Sequence, residues 1–235
     1  MAIAGRVLRF PETRPLGHLY NLLPDGSWED LGRAQGKLWA PVAARLHLTV
    51  TEPRELGSLA GADPHAFYSI DLHRVDVSDR QLAPLGRLAG LRRLFLSRVP
   101  RAGDGALVHL AGLWALKSLT LDRTAVSDGG LASLSRLRAL QELDLSHARV
   151  DGRGLPALAT LSALRRLDLS HTLVDDRAVQ SLAALPRLEE LVLRGTRVTP
   201  RGAEVLVQSG RGLRVFGDLR DNQQRRTGGQ IVARG

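Results

Sequence analysis

The sequence predicts an α/β solenoid: a stack of strand-and-helix units, each burying its apolar faces against its neighbours. Three observations predict it. An apolar phrase returns every 24 or 25 residues, with first positions at Ala43, Phe67, Leu91, Leu116, Leu140, Leu164, Leu188 and Leu213. Within each interval the hydrophobic period lengthens from two to three residues, the change that separates a half-buried strand from a helix with one buried stripe. Two copies of the phrase are nearly identical, "LDLSHARVD" from Leu143 and "LDLSHTLVD" from Leu167.

Residues 1–42 come first and differ from the rest. They hold Tyr20, Trp28 and Trp39 within short apolar pieces ("RVLRF", "HLYNLL", "KLWAPV") cut by Pro and Gly. A small β-rich N-terminal cap is expected, because the open end of a solenoid needs a cover. Residues 43–216 are the repeats, about eight strands. Each opens with alternating apolar and polar residues, a strand showing one face to a core. Small polar residues follow, and Ser78, Ser127, Asp151, Asp175 and Thr199 are expected N-caps. Apolar residues then recur every third position, as in Leu131, Leu134 and Leu137, or Val179, Leu182 and Leu185. That spacing predicts a helix of about ten residues with one buried stripe. One strand and one helix cannot bury both faces alone, so the units must stack. Residues 217–235 are polar, and two readings stay open: a C-terminal cap strand through "QIVA", or a flexible tail.

The stretch "LKSLTLDRTAVSDGGLASL" (116–134) resembles leucine-rich repeat proteins, in particular the helix-bearing bacterial repeats related to ribonuclease-inhibitor-like horseshoes. The resemblance spans residues 43–216 and implies a right-handed horseshoe, with a parallel sheet on its concave face and short helices on its convex face. The sequence departs from the family at position nine. There the familiar Asn is replaced by Thr51, Thr124, Thr172 and Thr196, or by Val75, Val99 and Ala148. A Thr hydroxyl can still serve the turn; where Val or Ala stands, pairing of the backbone through water is expected.

Composition narrows the function. The net charge is +9, carried by 31 Arg against Lys37 and Lys117 alone. The excess is spread over the chain, +1 in residues 1–42, +4 in 43–210 and +4 in 211–235, and makes no concentrated footprint for nucleic acid. There is no cysteine, which excludes disulfides, thiolate zinc sites and Cys nucleophiles and fits a reducing compartment. The first residues lack the apolar core of a secretion signal, and no apolar run reaches the roughly 20 residues of a membrane span. A cytoplasmic protein with no membrane role is expected.

Stacked strands place equivalent residues side by side, about 4.8 Å apart, so the concave face reads as columns. With Ala43 as the first frame, position five gives His47, Asp71, Phe95, Thr120, Asp144, Asp168 and Val192, and position three includes Arg93. Position eight gives Val50, Arg74, Arg98, Arg123, His147, His171 and Gly195. Three stacked arginines beside two stacked histidines suggest an edge that binds carboxylates or phosphates. Protonation of the histidines would then tighten anion binding as pH falls from 7.5 toward 6. Phe95, flanked by Arg93 and Arg98 and the only aromatic of columns three and five, has the composition of an interface anchor.

The Asp, Ser and His of "LDLSH" raise nucleophilic catalysis, but on an extended strand Ser146 and His147 point to opposite faces. Asp144 and Ser146 would stand roughly 6.6 Å apart. His147 and His171 alone make a poor metal site. No catalytic residue, metal or cofactor is therefore assigned. The expectation is a noncatalytic protein–protein interaction module. Its expected partner is a protein with an acidic surface, bound through Arg74, Arg93, Phe95, Arg98, Arg123, Asp144, His147, Asp168 and His171 and the flanking loops. The alternative is an accessory nucleic-acid-binding protein using the Arg column and the basic C-terminal tail.

Overall fold

A computed structural model describes residues 5–208, 212–218 and 229–232. The N-terminal strands β1 (Gly5–Arg9) and β4 (Lys37–Pro41) pair antiparallel with each other. Between them, β2 (Gly17–Leu22) and β3 (Trp28–Arg33) form a hairpin that joins the main sheet, β2 pairing antiparallel with β5 (Arg45–Val50). The sheet then runs parallel through β6 (Ser69–Asp71), β7 (Arg93–Phe95), β8 (Ser118–Thr120), β9 (Glu142–Asp144), β10 (Arg166–Asp168), β11 (Glu190–Val192) and β12 (Arg214–Gly217). It closes with an antiparallel β13 (Gly229–Val232) on β12. The main sheet thus has eleven strands, more than the eight repeat frames.

Every repeat strand from β6 to β11 is only three residues long, because the chain turns sharply once its central Leu or Ile has entered the core. Ile70, Leu94, Leu119, Leu143, Leu167 and Leu191 are buried in one continuous core with the helix-side leucines. The strand register corrects two frames. His47 lies opposite Ser69 and Thr49 opposite Asp71, so the first frame begins two residues after Ala43, and His47 belongs to column three. Val50 and Thr51 accordingly leave columns eight and nine. At the other end Arg214 lies opposite Glu190 and Phe216 opposite Val192, which moves the last frame one residue ahead of Leu213.

The convex segments are shorter as α-helices than the apolar spacing implies. α1 (Asp79–Leu82) and α3 (Asp128–Leu131) are single turns that tighten into 3-10 structure, and repeat five has 3-10 structure alone, Leu155–Thr160. α2 (Asp104–Leu110), α4 (Asp176–Gln180) and α5 (Pro200–Val207) are longer. A period of three suits a 3-10 helix better than an α-helix, since residues three apart eclipse each other there. Ser127, Asp175 and Thr199 accept amides of the first helical turn, and the Ser78 amide is taken by the Gln81 side chain. Asp151 caps no α-helix: it accepts the Arg153 amide ahead of the 3-10 segment.

Adjacent convex segments are tied by a row of aspartates. Asp79 accepts the Gly103 amide at 2.6 Å and Asp104 the Ser127 amide at 2.7 Å. Asp128 accepts the amides of Asp151 and Gly154, and Asp176 those of Thr199 and its hydroxyl. The facing repeat must leave room. A Cβ added at Gly130 or Gly202 would collide with the carboxylate of Asp104 or Asp176. Residue 152 breaks the row because it is Gly, and there the facing residue is Ala178, whose Cβ occupies the freed space.

Candidate functional site

Column eight is the rim, three residues past the end of each strand, where the chain turns back toward the convex side. Arg74, Arg98, Arg123, His147 and His171 all have positive φ, between 52° and 60°, and Gly195 continues the series at 65°. The turn is held by the stack itself: the Arg98 amide donates to the Asp122 carbonyl, Arg123 to Ser146, His147 to Ser170 and His171 to Arg194. At position nine the hydroxyls of Thr124, Thr172 and Thr196 donate to the position-six carbonyls of Leu121, Leu169 and Leu193 at 2.6–2.7 Å. At Val75 and Ala148 the amides donate to the Leu72 and Leu145 carbonyls at 3.0 Å, closer than the 3.3–3.4 Å of the corresponding Thr amides, so at these two positions that carbonyl is paired without water.

The rim side chains form a contiguous row at one end. The rings of His147 and His171 stack with centroids 4.3 Å apart and planes 13° from parallel, and Arg123 lies 3.0 Å from Nε2 of His147. Burial, then the nearby Arg123 and His171, hold the His147 pKa below its ordinary value. Arg123 also approaches Asp122 at 3.7 Å. Among the described residues, Arg74, Arg93 and Arg98 have no carboxylate at ion-pair distance, so their charges remain available.

On the concave face Asp144 and Asp168 lie side by side on β9 and β10. Desolvation raises the Asp144 pKa, helped by the like charges of Asp168 and Asp122 and opposed by hydrogen bonds from Ser146. Those bonds correct the extended-strand geometry. Ser146 lies past the end of β9, and its hydroxyl donates to Asp144 Oδ1 at 2.6 Å. The serine therefore faces carboxylates, and the close ring-nitrogen partner of His147 is Arg123, so Ser146 and His147 do not pair. No group of three or more His, Asp or Glu side chains among the described residues is placed to hold a metal.

Phe95 sits half-buried on β7 with Arg93 exposed two residues before it. It is not the only aromatic of column five, since the corrected register puts Phe216 there too. A larger aromatic group lies at the other end, where β2 and β3 extend the same face. Trp28 packs on His47 at 5.1 Å between centroids, Tyr20 lies 6.0 Å from His47, and His18 stacks on Tyr20 at 6.2 Å. His47 is further held by Ser69 at 2.6 Å and Thr49 at 3.1 Å, and burial lowers its pKa. These aromatics were missed by treating residues 1–42 only as a cover. The signal was present in the alternation of "HLYNL", with Leu19 inward and His18 and Tyr20 outward.

Among the described residues no helix is long and apolar enough to cross a membrane. The basic tail mostly falls at residues 219–228 and 233–235, outside the described residues. A family model described as "Leucine Rich repeat" matches residues 137–159. Two solved structures are similar in fold. One is an internalin (inlF) from Listeria monocytogenes, with 21% identity, a TM-score of 0.43 and coverage of 75% of this chain and 62% of that one. The other is the plant peptide hormone receptor RGFR1 in complex with RGF2, with 17% identity, a TM-score of 0.40 and coverage of 50% and 19%. This chain thus spans less than two thirds of either structure. Among curated proteins none matches the sequence.

Proposed function

Because this chain is a leucine-rich repeat protein, we propose that it is a noncatalytic module that binds a protein with an acidic surface, using the concave sheet and its Arg/His rim. The carrying observation is the backbone of the rim. A left-handed conformation costs a residue with a Cβ roughly 1 kcal/mol or more, whereas Gly adopts it freely. Gly195 demonstrates that the fold accepts Gly at this position, yet five repeats carry Arg or His. Side chains kept against their own backbone preference in an open row point to a binding role. Arg74 and Arg98 are free to fork onto carboxylates, and the partly covered Phe95 and the Trp28–Tyr20–His47 group supply aromatic anchors on the same sheet.

The experiment is to replace Arg74 and Arg98 each by Gly. The variants should be no less stable than the parent, because relief of the left-handed strain, about 1 kcal/mol, offsets the entropy that Gly adds to the unfolded chain. They should nonetheless bind poly-glutamate and the natural partner at least about tenfold more weakly, the loss of one charge-assisted pair. Undiminished binding by both variants would remove the rim from the interface. A salt titration against random duplex DNA tests the nucleic-acid alternative: micromolar affinity at physiological salt would favour it over a protein partner.

A further inference from the structure

A cleft of about 590 Å³ lies on the convex flank between repeats five and six, lined by none of the rim residues. Two departures from the repeat pattern meet there, beside an exposed leucine at a position that varies from repeat to repeat. Gly152 stands where neighbouring repeats place the bridging aspartate, so residue 152 offers no carboxylate to the next repeat. Ala178 replaces the facing glycine. Leu173 is 54% exposed at a position filled by Arg149 in repeat five and Arg197 in repeat seven. In a repeat protein the shared pattern serves stacking, so departures gathered at one junction mark what stacking does not require.

The cleft's charges are unevenly used. Asp151 is held by Arg153 at 3.5 Å, and Asp175 caps the Ala178 amide at 2.9 Å. Arg177 and Arg197 line the same cleft and, among the described residues, have no carboxylate within ion-pair distance. Two free guanidinium groups beside an exposed leucine match one anionic group carried next to one aliphatic group. We propose that this cleft binds an acidic–aliphatic peptide segment of a protein, with Arg177 and Arg197 on its carboxylate and Leu173 against the neighbouring side chain. The site shares no residue with the rim and stands or falls separately from it.

The test is a titration of the full ¹⁵N-labelled chain with the peptide Ac-Ala-Leu-Glu-Ala-NH₂, followed at the amides of Arg153, Asp175 and Ala178. A saturable shift with a Kd on the order of a millimolar is expected, since a short peptide makes few contacts. The Gln counterpart should bind about tenfold more weakly for lack of the charge-assisted pair. The exposed pair R177Q and R197Q should abolish the shift while leaving the spectrum otherwise native, and Arg98→Gly should leave it unchanged. The proposal is overturned by equal binding of the Gln peptide, by a shift that survives R177Q and R197Q, or by no saturation up to about 20 mM.

Discussion

Single side chains in this protein act through the turn that follows each strand. Asp144 is one: it accepts both the amide and the hydroxyl of Ser146, while burial and the neighbouring Asp168 and Asp122 oppose its charge. A carboxyl whose pKa is raised on folding binds its proton more tightly in the native state. Its stabilising contribution is therefore greatest at low pH and is lost as pH rises through the folded value. Asp144→Asn keeps an acceptor for Ser146 and removes the charge, so it should melt higher than the parent at pH 7 and lose that advantage by pH 4. A lower melting temperature at pH 7 would show that the charge itself stabilises the turn. His147 moves the other way. Burial and the nearby Arg123 and His171 lower its pKa, so any tightening of an anionic ligand by its protonation sets in at lower pH than an unperturbed imidazole suggests. The Arg and His column was legible in the sequence because equal spacing in a solenoid means adjacency. Its conformational cost was not, because the apolar alternation of "LxxLxL" continues past the residue at which the strand ends.

At the scale of the element, the convex segments show how little helix a repeat needs. Leu131 and Leu134 are buried although α3 is a single turn, because the tighter continuation keeps residues three apart in line. The caps at Ser127, Asp175 and Thr199 were legible from small polar residues before an apolar run. The aspartate row was not, since its acceptors and donors lie in different repeats and only the stack brings them together. The row makes a quantitative expectation. Gly202→Ala drives a methyl group into the Asp176 carboxylate and should cost about 1–3 kcal/mol. In an Asp176→Gly background the same change recreates the natural pairing of Gly152 with Ala178 and should cost little, a coupling of about 1 kcal/mol or more in a double-mutant cycle. Additive losses would mean that the facing glycine is kept for its backbone alone.

For the whole molecule, the fold class followed from eight phrases in phase, but the extent of the sheet did not. A constant 24-residue spacing was carried back to Ala43, whereas the chain between β5 and β6 takes a compact 3-10 route through Pro53–Gly61 and places Thr49 only 22 residues before Asp71. The N-terminal strands then continue the face, bringing its area from the roughly 450 Å² of eight bare strands to about 600 Å². That approaches the roughly 800 Å² that one partner contributes to a standard interface, with the rim and loops left to supply the remainder. Ser118 to Glu142 and Arg166 to Glu190 are already satisfied across neighbouring strands, so the open charges of the concave side gather toward Arg74, Arg93 and Arg98.

The match between Asp128, Gly152 and the residues that face them also governs which ancestral or laboratory recombinations of this gene are viable. Loss of one 24-residue unit between Leu116 and Leu188 keeps the phase wherever the breakpoints fall, but it does not keep the partners. Excising residues 128–151 brings Gly154 onto Asp104 and leaves Ala178 on Gly152, so every surviving junction retains an accepted pair. Excising 152–175 sets Ala178 against Asp128 in the place of Gly154, where a Cβ would lie 2.4 Å from the Asp128 carbonyl oxygen. Of two deletions of equal length and phase, the first should yield a chain that unfolds in one cooperative transition, and the second a markedly less stable one. Equal stability of the two shortened proteins would mean that its repeats are interchangeable after all.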